Sequence, residues 1–324
     1  MALDSTITGL HHITVIAGNA QENLDFYAGV LGMRLVKKTV NQDVPGTYHL
    51  FYADGVAHAG TDLTFFPWPD MPPGQAGVGL TVEVALAIPE GSLEYWVERL
   101  THYGMEVNDP IVRFGERLIT FADPHGLRIA LVETADDREF TPWPASPVPE
   151  SRQIRGLHGV KLLERRAAPT VDLLTGTLGF EEVGQEDGWR RFALPGGRSG
   201  RIVDVREAPA ERQGTWGTGS VHHIAWRVPD DATELQVQSR LQRAGRRPTS
   251  VIDRFWFKSV YFKEPGGALF EIATDGPGFG VDEAMHELGA RLVLPPWLEP
   301  QRAAIDSSLP QLRDPEPVAH GSGR

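Results

Sequence analysis

Apolar residues fall along the chain in short strand-like runs separated by a few segments of helical spacing, and this order recurs four times. Residues 21–31 and 170–178 carry apolar positions at helical spacing and stop at Gly32 and Gly179, the favoured residue just past a helix end. Residues 92–103 begin at Ser92, a good N-cap with Glu94 and Glu98 behind it, and stop at Gly104. Residues 231–244 stop at Gly245. Between these segments lie β-branched and aromatic alternations such as Val251-Ile252-Asp253-Arg254-Phe255-Trp256 and Ser259-Val260-Tyr261-Phe262, which predict strands.

The recurrence is visible in the residues themselves. The stretch Asn23-Leu24-Asp25-Phe26-Tyr27-Ala28-Gly29-Val30-Leu31-Gly32-Met33 resembles Thr170-Val171-Asp172-Leu173-Leu174-Thr175-Gly176-Thr177-Leu178-Gly179-Phe180. Likewise Leu100-Thr101-His102-Tyr103-Gly104 resembles Leu241-Gln242-Arg243-Ala244-Gly245, and Asp123-Pro124-His125-Gly126 resembles Glu264-Pro265-Gly266-Gly267. Four modules follow, starting near Leu10, Gly79, Leu157 and Val221, each reading strand, helix, then several strands. The predicted class is α+β, with four tandem modules in two domains. Residues 1–140 hold modules one and two, and residues 154–275 hold modules three and four. Residues 141–153 between them contain Pro142, Pro144, Pro147 and Pro149 and read as a stiff linker. Residues 276–324 have no counterpart in the repeat. A short helix is expected at 282–292, and the Pro-rich remainder is expected to wrap the surface or fray.

Composition narrows the function classes. The chain has 324 residues and no cysteine, which excludes disulfides, thiolate zinc sites and cysteine nucleophiles. A net charge of −12 argues against nucleic-acid or anionic-membrane partners. No apolar run is long enough to span a membrane, and the first residues lack a basic segment followed by an apolar one, so a cytoplasmic location is expected.

The candidate chemistry lies in two strand-like runs that open alike, Leu10-His11-His12-Ile13-Thr14 and Val221-His222-His223-Ile224-Ala225. A third run, Ala268-Leu269-Phe270-Glu271-Ile272-Ala273, sets one carboxylate among apolar residues, where an unpaired charge costs several kcal/mol and a metal removes the difficulty. Two imidazoles and a carboxylate are the ligand set of a facial triad for non-haem Fe(II), with Mn(II) an alternative. Only alternate strand residues face one side. His12 and His223 are therefore read as the inward ligands with Glu271, beside the small Thr14 and Ala225, and His11 and His222 as polar neighbours behind them. The corresponding slots elsewhere hold Gly159, Ala130, Thr64, and Val82 or Glu83, so ligand-type residues concentrate in modules one and four. Arg254 and Tyr261 on neighbouring strands are candidates to face an anionic substrate. His49, His58, His102, His125, His158, His286 and His320 lack such support and read as surface or structural.

These residues resemble the vicinal oxygen chelate superfamily of glyoxalases, bleomycin-resistance proteins and extradiol dioxygenases, built from paired βαβββ modules. The segments Tyr48-His49-Leu50-Phe51-Tyr52-Ala53-Asp54, Arg113-Phe114-Gly115-Glu116-Arg117, Arg212-Gln213-Gly214-Thr215-Trp216 and Pro265-Gly266-Gly267-Ala268-Leu269-Phe270-Glu271 are similar to its hydroquinone-type ring-cleaving dioxygenases. The resemblance implies cupped mixed sheets, an Fe(II) site at His12, His223 and Glu271, and substrate contacts from His11, Thr14, His222, Arg254 and Tyr261. It implies a small aromatic substrate, hydroquinone or catechol, with dioxygen as co-substrate, and is compatible with homo-oligomers. Two other readings stay open. One is a glyoxalase-like isomerase or lyase with a fourth ligand, Glu83 or Asp62. The other is a non-catalytic protein that sequesters a quinone or drug.

Overall fold

A computed structural model describes residues 6–135 and 138–316. Module one runs β1 (Gly9–Ala17), α1 (Ala20–Leu24), β2 (Arg34–Asn41), β3 (Val44–Ala53) and β4 (Asp62–Pro67). Module two runs β5 (Leu80–Pro89), α2 (Leu93–His102), β6 (Ile111–Arg113), β7 (Glu116–Ala122) and β8 (Arg128–Thr134). Module three runs β9 (Gly156–Glu164), α3 (Ala168–Leu173), β10 (Glu181–Glu186), β11 (Trp189–Ala193) and β12 (Ile202–Glu207). Module four runs β13 (Val221–Val228), α4 (Asp231–Arg243), β14 (Ile252–Asp253), β15 (Lys258–Lys263) and β16 (Leu269–Thr274). Helix α5 (Arg302–Ser308) lies in the tail.

The helices expected in modules one and three are each an α-helical turn followed by a π-helical one, at Asp25–Val30 and Leu174–Leu178. The wider turn lets the Met33 N–H reach the Tyr27 carbonyl and the Phe180 N–H reach that of Leu174.

Two eight-stranded mixed sheets result, ordered β14-β15-β16-β13-β1-β4-β3-β2 and β10-β11-β12-β9-β5-β8-β7-β6. Each is closed at its centre by an antiparallel pair from different modules, β1 with β13 in one and β5 with β9 in the other. Module one therefore shares a sheet with module four, and module two with module three, so both sheets run across the division at the Pro-rich linker. That linker packs on module one, with Val148 buried and the Gly55 N–H donating to the Thr141 carbonyl. The main core joins apolar strand residues such as Ile13, Val84, Leu162 and Ile272 to helix residues such as Trp96, Leu100, Leu173 and Leu241.

The tail differs from expectation. Residues 282–292 form no α-helix; they hold only a 3₁₀ turn, at Met285–Glu287. Residues 279–293 pack inward instead. Phe279, Leu288 and Val293 pack with Val36, Phe51, Ala225 and Ala273 and fill one end of the first sheet's cup. The buried Lys37 ammonium of β2 binds the carboxylates of Asp282 (2.8 Å) and Glu283 and lies 5.2 Å from the Trp256 ring. The Val293 N–H donates to the Lys38 carbonyl, and Gly289 lies so close to the Leu35 carbonyl that a Cβ would stand 2.0 Å from its oxygen. The Pro-rich remainder runs over the surface, with most positions exposed and Leu294, Leu298, Ile305 and Leu309 buried against the main core, and its last residues, 317–324, lie outside the described residues.

Candidate metal centre

Parallel pairing of β13 with β16 sets Glu271 beside Ala225, and antiparallel pairing of β1 with β13 sets His12 beside Ala225 and His223 beside Thr14. The three ligand-type side chains therefore converge from three adjacent strands on the cup's inner face. His12 Nε2 lies 3.2 Å from His223 Nε2 and 3.5 Å from Glu271 Oε2, and His223 Nε2 lies 3.0 Å from the same oxygen. Two donors at right angles, each about 2.1 Å from an ion, stand about 3.0 Å apart, so these separations fit one face of an octahedron. The chemistry of the set agrees. Glu271 is fully buried, Ser259 donates to its Oε1 (2.5 Å), and Oε2 has no hydrogen-bond partner. Burial pushes the Glu271 carboxyl up, but the imidazoles of His12 and His223 outweigh it and hold it well below the usual carboxylate range. Among the described residues this is the one group of three such side chains close enough to share an ion.

Strict alternation, which turned His11 and His222 away from the cup, does not hold. The register slips between Leu10 and His12 and again beside Val221, so His11 and His222 occupy β-bulges and share a face with their neighbours. His11 Nδ1 lies 2.8 Å from His12 Nδ1, and His222 Nδ1 lies 2.8 Å from His223 Nδ1. An ion on Nε2 would take that lone pair, so each of these rings would carry its proton on Nδ1 and donate it to the bulged histidine. The bulged histidines would then be protonated on Nε2. Burial, then the adjacent imidazole, pushes both His11 and His222 down to about 3, which keeps them neutral. Half-buried His222 faces a cavity, packed against Trp216 at 4.8 Å and Phe66 at 5.4 Å. His11 is enclosed and packs on Phe257 instead.

That cavity measures about 390 Å³ and opens onto His12 and His223. Phe51, Phe66, Trp68, Trp256, Phe257 and Leu269 give it apolar walls, and Arg254 and Tyr261 both line it. Tyr261 sits beside Glu271 in the β15–β16 register, and the Arg254 guanidinium lies 5.4 Å from its ring centroid. Burial and then the Glu271 charge push the Tyr261 phenol up, so it remains a hydroxyl. Thr14 is buried and hydrogen-bonds Thr64 at 2.7 Å.

His49, read from sequence as surface or structural, lines this cavity as well. Its Nε2 lies 2.9 Å from Thr64 Oγ1 and its ring stacks 3.9 Å from Phe51. Its position two residues before Phe51 on a strand was the available signal, because i and i+2 share a face. Neither candidate fourth ligand joins the triad. Glu83 lies in the other sheet, paired with Arg113 at 2.6 Å, and Asp62, though opposite His12 in the β1–β4 register, does not belong to the group close enough to share an ion.

The second cup shows what the first retains. Its register aligns Ala85 with both Gly159 and Ala130, where the first aligns Ala225 with His12 and Glu271. Glu83 opposite Lys161 stands where His223 opposes Thr14, which settles the choice between Val82 and Glu83. The interior is filled by ion pairs, Arg113 with Glu83 and Arg191 with Asp204 (2.8 Å).

A family model described as the Glyoxalase/Bleomycin resistance protein/Dioxygenase superfamily matches residues 9–131 and 156–272. The chain belongs to this superfamily. Within it, the chain is 42% identical to MhqO of Bacillus subtilis, provisionally named a ring-cleaving dioxygenase, over 93% of this chain and 95% of that one. It is 32% identical to the chlorohydroquinone/hydroquinone 1,2-dioxygenase of Sphingobium indicum, over 97% and 99%. The crystal structure of a provisionally named dioxygenase from Bacillus subtilis superposes with a TM-score of 0.91 at 41% identity, covering 96% of this chain and 99% of that one.

Proposed function

We propose that this superfamily member is an Fe(II)-dependent dioxygenase that cleaves the ring of a hydroquinone or catechol-type aromatic. The observation that carries the reading is the convergence of His12, His223 and Glu271 at the base of an apolar cavity with no fourth carboxylate among the described residues close enough to join them. The relatives named for ring cleavage, one of them for hydroquinone, support the same reading. Three protein ligands leave about three positions on an octahedral ion, enough for a phenolic oxygen and dioxygen together. An isomerase or lyase working through an enediolate would more often need a further carboxylate as base. Both atoms of dioxygen enter the product, so no external reductant is required.

A bound ferrous ion would supply the site for phenolic oxygen and dioxygen and couple the electron-rich ring to the oxidant. The chain's own residues do the rest. The aromatic walls hold the ring flat and keep water out. Arg254 offers a fixed positive charge to a substrate oxygen. His222, protonated on Nε2, and Tyr261, a neutral phenol, each present a donor to the cavity for holding or moving a proton. His11 and His222 fix the rings of the metal ligands, and Ser259 fixes Glu271.

The test is oxygen consumption by protein loaded anaerobically with Fe(II), or separately with Mn(II), against a panel of hydroquinones and catechols, with His223→Ala as control. Uptake matched to loss of the aromatic chromophore and absent in the variant is the expected result. No uptake with any panel member, at stoichiometric metal, refutes the reading.

A further inference from the structure

One hydrogen-bond chain in the first cup starts beside the metal ligands and ends at the cavity. Thr14 Oγ1 lies 2.7 Å from Thr64 Oγ1, and Thr64 Oγ1 lies 2.9 Å from His49 Nε2. Thr14 and Thr64 are fully buried, and Thr64 Oγ1 is the one hydrogen-bond partner of the Thr14 hydroxyl among the described residues. A hydroxyl has a single proton to give. If Thr64 gave its proton to Thr14, the Thr14 proton would be enclosed with no acceptor, at the full desolvation cost of an unmade bond. Thr14 therefore donates to Thr64, and Thr64 donates to His49 Nε2. His49 then carries its own proton on Nδ1. Burial, then the imidazoles of His12 and His223, hold the His49 ring well below its ordinary value, so it has that one proton and no second.

Nδ1 is the atom this arrangement leaves for a ligand. It has no hydrogen-bond partner among the described residues and is not enclosed, and the ring lines the cavity. The ring is fixed in place, 3.9 Å from Phe51 and 4.3 Å from Phe66. Phe66 in turn lies 6.5 Å from the His223 ring, so His49 stands one aromatic ring away from the triad. The fold does not need this chain to close a cup. In the second cup Asp204 opposes Lys161 as Thr64 opposes Thr14, and Trp189 precedes Arg191 by two residues as His49 precedes Phe51. There an indole takes the place of the imidazole, with the Lys161 ammonium 4.4 Å from its centre.

We propose that His49 is the specificity-determining residue for a para-diol: its Nδ1–H donates to the second oxygen of a hydroquinone whose first oxygen is held at the triad, and Thr14 and Thr64 fix the tautomer that does so. The inference rests on the reading that a phenolic substrate binds at the triad. An oxygen on the opposite carbon of such a ring reaches across the cavity to a donor one ring away. Catechol keeps its second oxygen beside the first and offers His49 nothing. p-Cresol carries a methyl group at the far position and leaves the donor unpaired.

The experiment is calorimetric titration of hydroquinone, catechol and p-cresol into Fe(II)-loaded protein without dioxygen. His49→Phe keeps an aromatic ring between Phe51 and Phe66 and removes the donor. It is expected to weaken hydroquinone roughly three- to tenfold, the range of one neutral hydrogen bond, and to leave catechol and p-cresol within about twofold of wild type. Unchanged hydroquinone affinity in the variant, an equal loss for catechol or p-cresol, or no binding of hydroquinone by the wild-type protein would each overturn the proposal. Nitrogen-15 NMR of Zn(II)-loaded wild-type protein with labelled histidine reads the tautomer without any substitution. A His49 proton on Nδ1 that shifts with hydroquinone and not with p-cresol is expected, and a proton on Nε2 refutes the chain. No turnover enters either measurement. Failure of oxygen uptake with both results intact would therefore count against ring cleavage and leave the role of His49 standing.

Discussion

Replacing Lys37 with methionine tests whether the tail is part of the cup. The Lys37 ammonium is fully buried, between the carboxylates of Asp282 and Glu283 and the Phe279 carbonyl, with the Trp256 and Phe279 rings at 5.2 and 5.5 Å. Glu283 is 4% exposed, its Oε2 accepts from Lys37, and its Oε1 has no hydrogen-bond partner. Lys37→Met leaves that carboxylate buried without its counter-charge, which costs about 3–5 kcal/mol. Methionine fills much of the lysine's volume, so the loss is electrostatic and not a cavity effect. Adding Glu283→Gln removes the stranded charge and should recover about 2–3 kcal/mol, a coupling in the range of directly bonded groups. Urea unfolding of wild type, both single variants and the double variant gives the cycle. Trp256 and Phe257 form both the tail contact and a cavity wall, so Lys37→Met should also raise KM. A loss below about 1 kcal/mol would mean the pair behaves as a solvated surface bridge, and the tail's role in shaping the site would be refuted.

Ser259→Ala removes the donor to Glu271 Oε1 and should weaken metal binding about tenfold, read by competition with a chelator, while Ser259→Thr should retain it. His49→Phe keeps the aromatic contact with Phe51 but loses the bond to Thr64; retained metal content with an altered substrate KM is expected, and an apo protein would show that His49 supports the triad instead. Burial and then the Glu264 charge push Glu164 up to about 8, from an ordinary value near 4.5. An acid with a raised folded pKa stabilises fully below its unfolded pKa and loses that contribution as pH rises to the folded one. Glu164→Gln should therefore gain a few kcal/mol relative to wild type between about pH 4.5 and 8, at ~1.4 kcal/mol per unit, and equal pH slopes in the two proteins would contradict it. Gly266→Ala would drive a Cβ to 1.5 Å from Glu164 Oε2, the far end of a side chain that can turn away, so a small drop in unfolding midpoint is expected, and a large one would show that the carboxyl is locked in place.

Much of this architecture was legible because repetition amplifies weak local signals. A single Gly after an apolar helical run is ambiguous, but Gly32 and Gly179 close equivalent segments and both adopt positive φ. The recurrence of His-His at the start of modules one and four singled out the residues that the fold gathers. Facing was harder, because alternation assumes an unbroken ladder and a bulge adds one residue that no composition announces. His222, which lines the cavity, was misplaced for that reason, whereas His11 lies behind His12 and off the cavity. The packing of residues 279–293 was not legible because they have no counterpart in the repeat, and their role depends on a cup of which they are themselves one wall. His49 was passed over because its partner Thr64 is defined by tertiary contact alone.

Central pairing of β1 with β13 also sets a timetable. Strand β1 is complete by Ala17, its partner begins at Val221, and the last ligand, Glu271, comes later still. At ordinary synthesis rates of about 5–20 residues per second, that gap leaves one long, apolar side of β1 without its partner for roughly 10–40 s. On the proposed reading, metal would not be held by all three side chains until nearly the whole chain has emerged. The nascent protein thus carries an open β-edge beside two histidines, the kind of surface that invites pairing with another chain. Slow translation, or truncation anywhere between residues 70 and 220, should give aggregation in place of a smaller folded domain.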